Sequence, residues 1–420
     1  MEAKITEAAG DPFHLIVVGG GAAGFFCALS AAEVNPNLRI LVLDGGKKVL
    51  RKVRVSGGGR CNLTHHCFDP RELSERYPRG GRQLRGAFHH FQPKDTIEWF
   101  SKRGVATKTE ADGRMFPVSD CSQSVIDCLE KSAREAKVEV RTECKVREID
   151  PPKAGNSWVV KLGDGRVEQT EKLCLAMGSL AHSGLVQIIE NLHHQVVPLV
   201  PSLFAFNLKN HPMKDLSGIS VPLSRVRILP KSPYREGPLL ITHRGLSGPA
   251  ILKLSAWEAR DLHERGHRFS VEVNWLGGED RESLGSMIRN LREKRATSKL
   301  GSNPLGQLPK RLWARILEGA GIRDDRTWAH LPKTEEEKLI ANLVAYELEV
   351  DGKTTNKDEF VTCGGVSLKE VDFRTMESRL NPGLHFAGEC LDLDGVTGGF
   401  NFQAAWTTGR IAGSAIASAV

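Results

Sequence analysis

Leu15–Asp44 reads LIVVGGGAAGFFCALSAAEVNPNLRILVLD. Four apolar residues, Leu15 to Val18, form a short run of the kind that makes a buried parallel strand. Gly19, Gly21 and Gly24 follow in G-x-G-x-x-G spacing, and Phe25–Val34 contains no helix breaker. Asn35-Pro36-Asn37 marks a turn, and Arg39–Leu43 is a second apolar strand ending on Asp44. Each part has a physical task. Gly19 permits the tight turn out of the strand, Gly21 lets a pyrophosphate approach the backbone, and Gly24 lets the helix lie close to the sheet. The helix N-terminus presents unpaired N–H groups and a positive dipole end to the phosphates, with Ala22 and Ala23 of the turn as further cofactor contacts. Asp44 stands 20 residues beyond Gly24, where a carboxylate accepts hydrogen bonds from ribose hydroxyls. An acid there favours a free 2′-hydroxyl, so FAD or NAD fits better than NADP.

At 420 residues the chain exceeds one typical core, so two or three domains are expected. A hydrophobic content of 40% and a charged content of 26% are those of an ordinary globular protein. No apolar run approaches a membrane span, and Met1–Pro12 carries Glu2, Glu7 and Asp11 without the apolar stretch of a secretory signal. The nine cysteines are scattered with no C-x-x-C pair. This points to reduced thiols in a cytoplasm rather than a disulfide framework or a zinc site. His89-His90 lacks further partners for metal ligation, so no metal is expected.

After Asp44 come Lys47, Lys48, Arg51, Lys52 and Arg54, then Ser56-Gly57-Gly58-Gly59-Arg60-Cys61-Asn62-Leu63-Thr64. Three consecutive glycines between polar residues describe either a loop lying against something flat or anionic, or a surface linker with a solvated basic flank. The GGGAAG turn, the acid at the second strand end and the RKxxxSGGGRCNxT run together resemble the BaiN/RdsA-type flavoproteins. These are FAD-dependent oxidoreductases of the glutathione-reductase-like fold. Three positions depart from that pattern: Asp44 replaces Glu, Leu50 replaces Gly, and His65 replaces Asn. The resemblance implies FAD contacts from Lys52, Ser56, Gly57, Gly59, Arg60, Cys61 and Asn62, and an adenine contact from the backbone around Val146.

Further along, Pro93–Arg103 and Cys121–Lys137 read as helices, and the alternation of residues 138–149 reads as one strand. Trp158–Leu162 and Val167–Thr170 read as a hairpin around Gly163-Asp164-Gly165. The apolar strand Lys172–Leu175 ends in Ala176-Met177-Gly178, similar to the turn at which such flavoproteins pass the FAD. Val196–Asn207, Val221–Leu229, Leu239–Thr242 and Phe269–Trp275 are short β-like runs of a sheet or barrel. The string Gly237–Ala250 (GPLLITHRGLSGPA) is a signature of the resembled family. By itself it reads as a strand, a turn and a helix capped by Ser247, with Thr242 and His243 either lining a pocket or closing a structural turn. Leu339–Val350 and Glu359–Thr362 read as return strands.

Residues 281–333 hold 12 Lys or Arg against 5 Asp or Glu, an excess equal to the +7 of the whole chain. Arg292, Lys294, Arg295, Lys310 and Arg311 are candidate phosphate contacts, with Trp313 and Trp328 as stacking faces; a solvated helical domain is the alternative. Near the C-terminus, Leu384–Ala387 leads into Gly388-Glu389, which resembles the second FAD motif. Gly398-Gly399-Phe400-Asn401 then opens a long Ala/Gly-rich helix, Phe402–Ala419. Its positive end suits the flavin pyrimidine oxygen, which gains charge on reduction.

The expected fold is α/β: a Rossmann-like FAD-binding domain of the glutathione-reductase-like type (1–193 and 361–420). Inserted in it are a β-barrel-like domain (194–280 with 336–360) and a small basic helical subdomain (281–335). The resemblance implies hydride transfer from NADH or NADPH through FAD to an electron-poor C=C. Its members include a reductase making dihydrouridine in ribosomal RNA and others linked to steroid-like enones. A non-catalytic redox sensor is a third reading. Cys61 is the candidate proton donor, with Arg60 beside it expected to lower its pKa.

Overall fold

The computed structural model describes residues 11–153, 157–181, 184–354 and 361–420. The acidic start through Gly10, and Glu359 and Phe360 of the expected return strand, lie outside these residues. The chain divides into two compact units, residues 1–200 with 357–420, and residues 201–356.

The first unit is built on a sheet whose centre is parallel. Phe13–Val18 pairs in parallel with Ile40–Leu43 on one side and Val167–Leu175 on the other. Leu384–Phe386 and Glu139–Arg141 extend it outward, both parallel. Leu15, Ile16 and Val17 are fully buried, as the unbroken apolar run requires of a strand covered on both faces. The first helix spans Ala22–Val34 and is buried along nearly its whole length. Its lid is the C-terminal helix, Phe400–Ser418, from the other end of the chain. The two approach closely because the C-terminal helix carries glycines four residues apart. A Cβ on Gly413 would stand 2.1 Å from the Cys27 carbonyl oxygen, and one on Gly409 2.5 Å from that of Ala23. Around them Phe26 packs on Trp99 and Trp406, each with ring centroids 4.7 Å away, and on Phe91 and Phe100.

Several sequence expectations are corrected here. The alternating run 138–149 is two strands, Glu139–Arg141 and Val146–Asp150, separated at Glu143 with φ +56°. The hairpin strand and the apolar strand after it are one continuous strand, Val167–Leu175. His89 and His90 sit exposed in the turn after a short helix, Gly81–Ala87.

The second unit is a closed six-stranded barrel of Ala205–Leu208, Gly245–Ser247, Arg235–Ile241, Ser220–Ile228, Arg268–Asn274 and Tyr346–Thr354, in that order. The helices Arg281–Lys294, Lys310–Gly319 and Lys333–Val344 lie in the connection between the last two strands. They form no separate domain, because Phe206, Ile241 and Val273 of the barrel share one apolar core with Ile288, Trp313 and Leu343 of the helices. Leu339–Val344 is helical, not strand. The helix after the family-like string is capped by Gly248 at φ +93°, not by Ser247. Among the described residues no helix is long and apolar enough to cross a membrane.

Replacing Gly413 by Val forces a branched side chain into the contact between the two helices. The expected loss is at least about 2 kcal/mol of unfolding free energy, read as a lowered urea midpoint; an unchanged midpoint would show that the helices do not touch there.

Candidate functional site

The site grows from the turn after the first strand. A Cβ on Gly24 would lie 1.9 Å from the Gly19 carbonyl oxygen, so only glycine lets the helix sit this close to the turn. Gly21 is different: a Cβ there meets nothing within 4 Å. It caps the helix without any side-chain hydrogen bond, at φ −92° and ψ −169°. No side-chain hydrogen bond caps this helix start, so its first N–H groups are left for a ligand. An uncapped helix start of this kind is an anion site.

Asp44 is held in place by the backbone. Its Oδ2 accepts the Gly20 N–H at 2.8 Å and its Oδ1 accepts the Gly46 N–H at 2.7 Å. Each oxygen keeps a lone pair for a hydroxyl donor. The segment leading to Val146 runs beside it: the Cys144 N–H donates to the Asp44 carbonyl at 2.8 Å and the Glu143 N–H to that of Gly46 at 2.9 Å. The residues expected at the ribose and at the adenine thus lie together.

The later motifs close on the same turn. The Ala176 N–H donates to the Val18 carbonyl at 2.8 Å, and a Cβ on Gly19 would strike the Ala176 oxygen at 2.2 Å and approach the Met177 Cα at 3.0 Å. A Cβ on Gly178 would lie 4.0 Å from Glu389 Oε2, and one on Gly388 2.7 Å from the Cβ of Ala23. Lys52 and Glu389, 337 residues apart, form an ion pair. These two charges, expected to meet the cofactor separately, partly neutralise each other.

The glycine loop ends the segment Arg51–Gly59, whose helical geometry stops at Ser56 with ψ 146°. Gly57, Gly58 and Gly59 then take φ of +58°, +68° and +85°, a left-handed run that side-chain-bearing residues rarely adopt. No atom lies within 4 Å of a Cβ built on Gly58 or Gly59. The loop is moored to the start of the C-terminal helix. With its amide oriented to satisfy both neighbours, Asn62 accepts the Gly399 N–H at 3.0 Å and donates to the Thr64 carbonyl at 3.2 Å. His65 stacks on Phe400 at 4.6 Å, beside Gly398. Asn401 turns back, accepting the Gly395 N–H at 2.8 Å and donating to the Gly395 carbonyl at 2.9 Å.

Two expectations fail at this loop. Arg60 does not act on Cys61: its guanidinium pairs with Glu110 at 2.6 Å, lies 3.6 Å from Asp120, and sits 4.0 Å over the Phe116 ring. The Cys61 thiol is fully enclosed, and burial pushes its pKa up to about 12 instead of lowering it. In the second unit Trp313 and Trp328 are not stacking faces, because both are completely buried. Arg292 is drawn to Glu336 and to the Leu331 carbonyl, and Arg311 donates to the Asp215 carbonyl. Lys294, Arg295 and Lys310 lie exposed.

Supporting residues invisible to motif reading appear beneath the site. Thr64 and Thr96 both donate to the buried Gln403 Oε1, at 2.6 and 3.0 Å, and Gln403 Nε2 donates to Thr407 at 3.0 Å. Arg79 pairs with the fully buried Asp394, and Tyr77 donates to the Phe400 carbonyl at 2.6 Å. The only sequence signal for these partners is Asp394 itself, an acid set in the Gly-rich run before the helix.

A parallel sheet with an uncapped, glycine-lined helix start and an acid at the next strand end defines a Rossmann-type dinucleotide-binding protein. The chain belongs to the HI0933-like family, since the model of the HI0933-like protein Rossmann domain matches residues 13–415. It is 32% identical over 408 residues to the ribosomal RNA dihydrouridine synthase of Escherichia coli (strain K12), covering 95% of this chain and 96% of that one. It is 29% identical over 409 residues to the 3-dehydro-bile acid delta(4,6)-reductase of Clostridium scindens, covering 96% and 98%. Its fold is that of the 3-ketosteroid-delta4-(5alpha)-dehydrogenase from Rhodococcus jostii RHA1, at 15% identity and a TM-score of 0.53 over 99% of this chain and 98% of that one.

Because the protein itself has room for a side chain at Gly21, Gly21→Val is expected to leave the unfolding midpoint of the cofactor-free protein unchanged within about 0.5 kcal/mol. The same substitution should abolish dinucleotide retention, measured by mass spectrometry of acid-released material. Full retention would place the phosphates elsewhere. Arg79→Met should instead unfold the protein more easily, by about 3–5 kcal/mol in chemical denaturation, since it removes the cation paired with a buried carboxylate.

Proposed function

We propose that this protein is an FAD-dependent oxidoreductase that takes hydride from NADH or NADPH and delivers it to an electron-poor C=C, with uridine of ribosomal RNA as the substrate. The observation that carries the redox reading is a pair of uncapped helix starts side by side: with Gly409 on Ala23 and Gly413 on Cys27 the helices run parallel, and the start of the C-terminal one lies eight residues, about 12 Å, beyond that of the first. A nicotinamide-only dehydrogenase has no use for the second. Flavin, when bound, supplies the hydride chemistry at its N5.

The rest of the work falls to the chain. The start of the first helix binds the pyrophosphate. Asp44 orients the adenosine ribose. The C-terminal helix, uncapped by any side chain, would offer its positive end to the negative charge that a bound flavin gains on reduction. Lys52 keeps Glu389 from adding an unbalanced negative charge beside the phosphates.

The saturated product also needs a proton at the carbon next to the one that receives hydride. Cys61 is a poor source: it is enclosed, and its thiol is a weak acid at about 12. Cys61→Ala is expected to leave turnover unchanged with full flavin occupancy; a loss of about a hundredfold would restore it as the donor.

The RNA assignment is supported by the relative named for that activity and by the exposed cations Lys294, Arg295 and Lys310 on the helical segment. The test is direct. The yellow protein should bleach near 450 nm with NADH or NADPH under anaerobic conditions. Ribosomal RNA from cells lacking the gene should contain less dihydrouridine than the parent. Bleaching with unchanged dihydrouridine would move the substrate to a small-molecule enone, and no bleaching would leave a flavin-binding sensor.

A further inference from the structure

The barrel unit carries an open cleft of about 520 Å³ that the redox reading does not use. It is lined by Asn207, Asn210, His211, Lys214, His243 and Arg244, with no carboxylate among the lining side chains. Its size is that of a site for a nucleotide-sized group. Lys214, His243 and Arg244 are exposed, so their charges and donors are open to a ligand.

His211 adds a more specific observation. One ring nitrogen, Nε2, sits 2.7 Å from the Thr242 carbonyl and so carries its proton there. The other, Nδ1, is buried and has no protein partner. With the proton on Nε2 this nitrogen is an acceptor, so a ligand removes the cost of its burial by offering a hydroxyl, which the ribose 2′-OH of an RNA chain does and a phosphate does not.

Two acids beside the lining segment are already engaged. Asp215, next to Lys214, pairs with Arg315 at 2.8 Å, and Glu349 pairs with Lys209 at 3.0 Å. The basic helix Lys310–Gly319 docks on the very segment that carries His211 and Lys214. Arg311 donates to the Asp215 carbonyl, and Arg315 to that of Pro212. Exposed Lys310 begins that helix, so positive charge runs on from the cleft across the helix start. Such a strip fits a chain of regularly spaced anions better than a single small one.

We propose that this cleft is a phosphate-binding subsite that holds the backbone of a single-stranded RNA segment through Lys214 and Arg244. The inference rests on the RNA reading above and gives it a place of contact. It calls for no base recognition at the cleft, because phosphate contacts set register and base contacts set sequence.

The test uses the full-length, flavin-loaded protein and a fluorescein-labelled single-stranded oligoribonucleotide, with anisotropy measured from low to moderate KCl. Lys214→Gln and Arg244→Gln should each weaken binding by about tenfold at low salt, and each should reduce the slope of log K against log[salt] by about one. The double variant should keep its full 450 nm absorbance, which shows that the flavin unit is intact. Equal affinity and slope in the wild type and the double variant would overturn the proposal while leaving RNA as a partner. A wild type that bleaches with NAD(P)H but binds no RNA would overturn both this subsite and the RNA substrate. Displacement of the RNA by NADPH but not by NADH would also overturn it, assigning the cleft to the nucleotide's 2′-phosphate.

Discussion

The contact between the first helix and the last one governs the first unit. It is a backbone-to-backbone approach, made where Gly409 and Gly413 meet the carbonyls of Ala23 and Cys27. Side chains any larger would hold the helices apart. With them would go the seat of Gly388 on Ala23 and the alignment of the two helix starts. The aromatic group around Phe26 reinforces this contact by filling the space beside it, with Trp406 fully buried. Close approach sets the geometry, and apolar burial makes it stable.

On that frame the polar residues are tied by long-range pairs rather than by local turns. Lys52 reaches Glu389, Arg79 reaches Asp394, and Asn62 reaches Gly399. Each pair joins the N-terminal third of the chain to its last forty residues. Beneath them Gln403 collects two threonine hydroxyls in a site from which water is excluded, so every partner is needed. The glycine loop inherits its shape from these anchors, and Arg60 fastens its outer side to Glu110 over the face of Phe116.

The sequence was most legible where structure is local. The strand, turn, helix, strand and acid of residues 13–44 lie in one contiguous stretch, so spacing alone places them. The C-terminal motif was readable for the same reason, as was the change to short strands after residue 195. What spacing did not reveal were partners. Nothing adjacent to Arg60 announces Glu110, and nothing near Thr64 announces Gln403, which lies 339 positions away. Ambiguous periodicity explains other misses. Leu339–Val344 is a short apolar run that suits helix or strand equally, and residues 138–149 alternate straight through a turn that only the left-handed Glu143 betrays. Tryptophan in a basic segment looked like a nucleic-acid face, but the helical segment needed Trp313 and Trp328 to complete a core it shares with the barrel.

A cradle assembled from both ends of the polypeptide also has a history in synthesis. When residue 200 leaves the ribosome, the first strands and the first helix exist, but the helix that covers them does not. At about 5–20 residues per second, tens of seconds of translation separate the emergence of Phe26 from that of Trp406. For that interval the nascent chain carries an uncovered aromatic face, the kind of surface that chaperones hold. A dinucleotide can therefore be gripped only after the helix Phe400–Ser418 has emerged, and a chain cut short before Phe400 carries half a cradle.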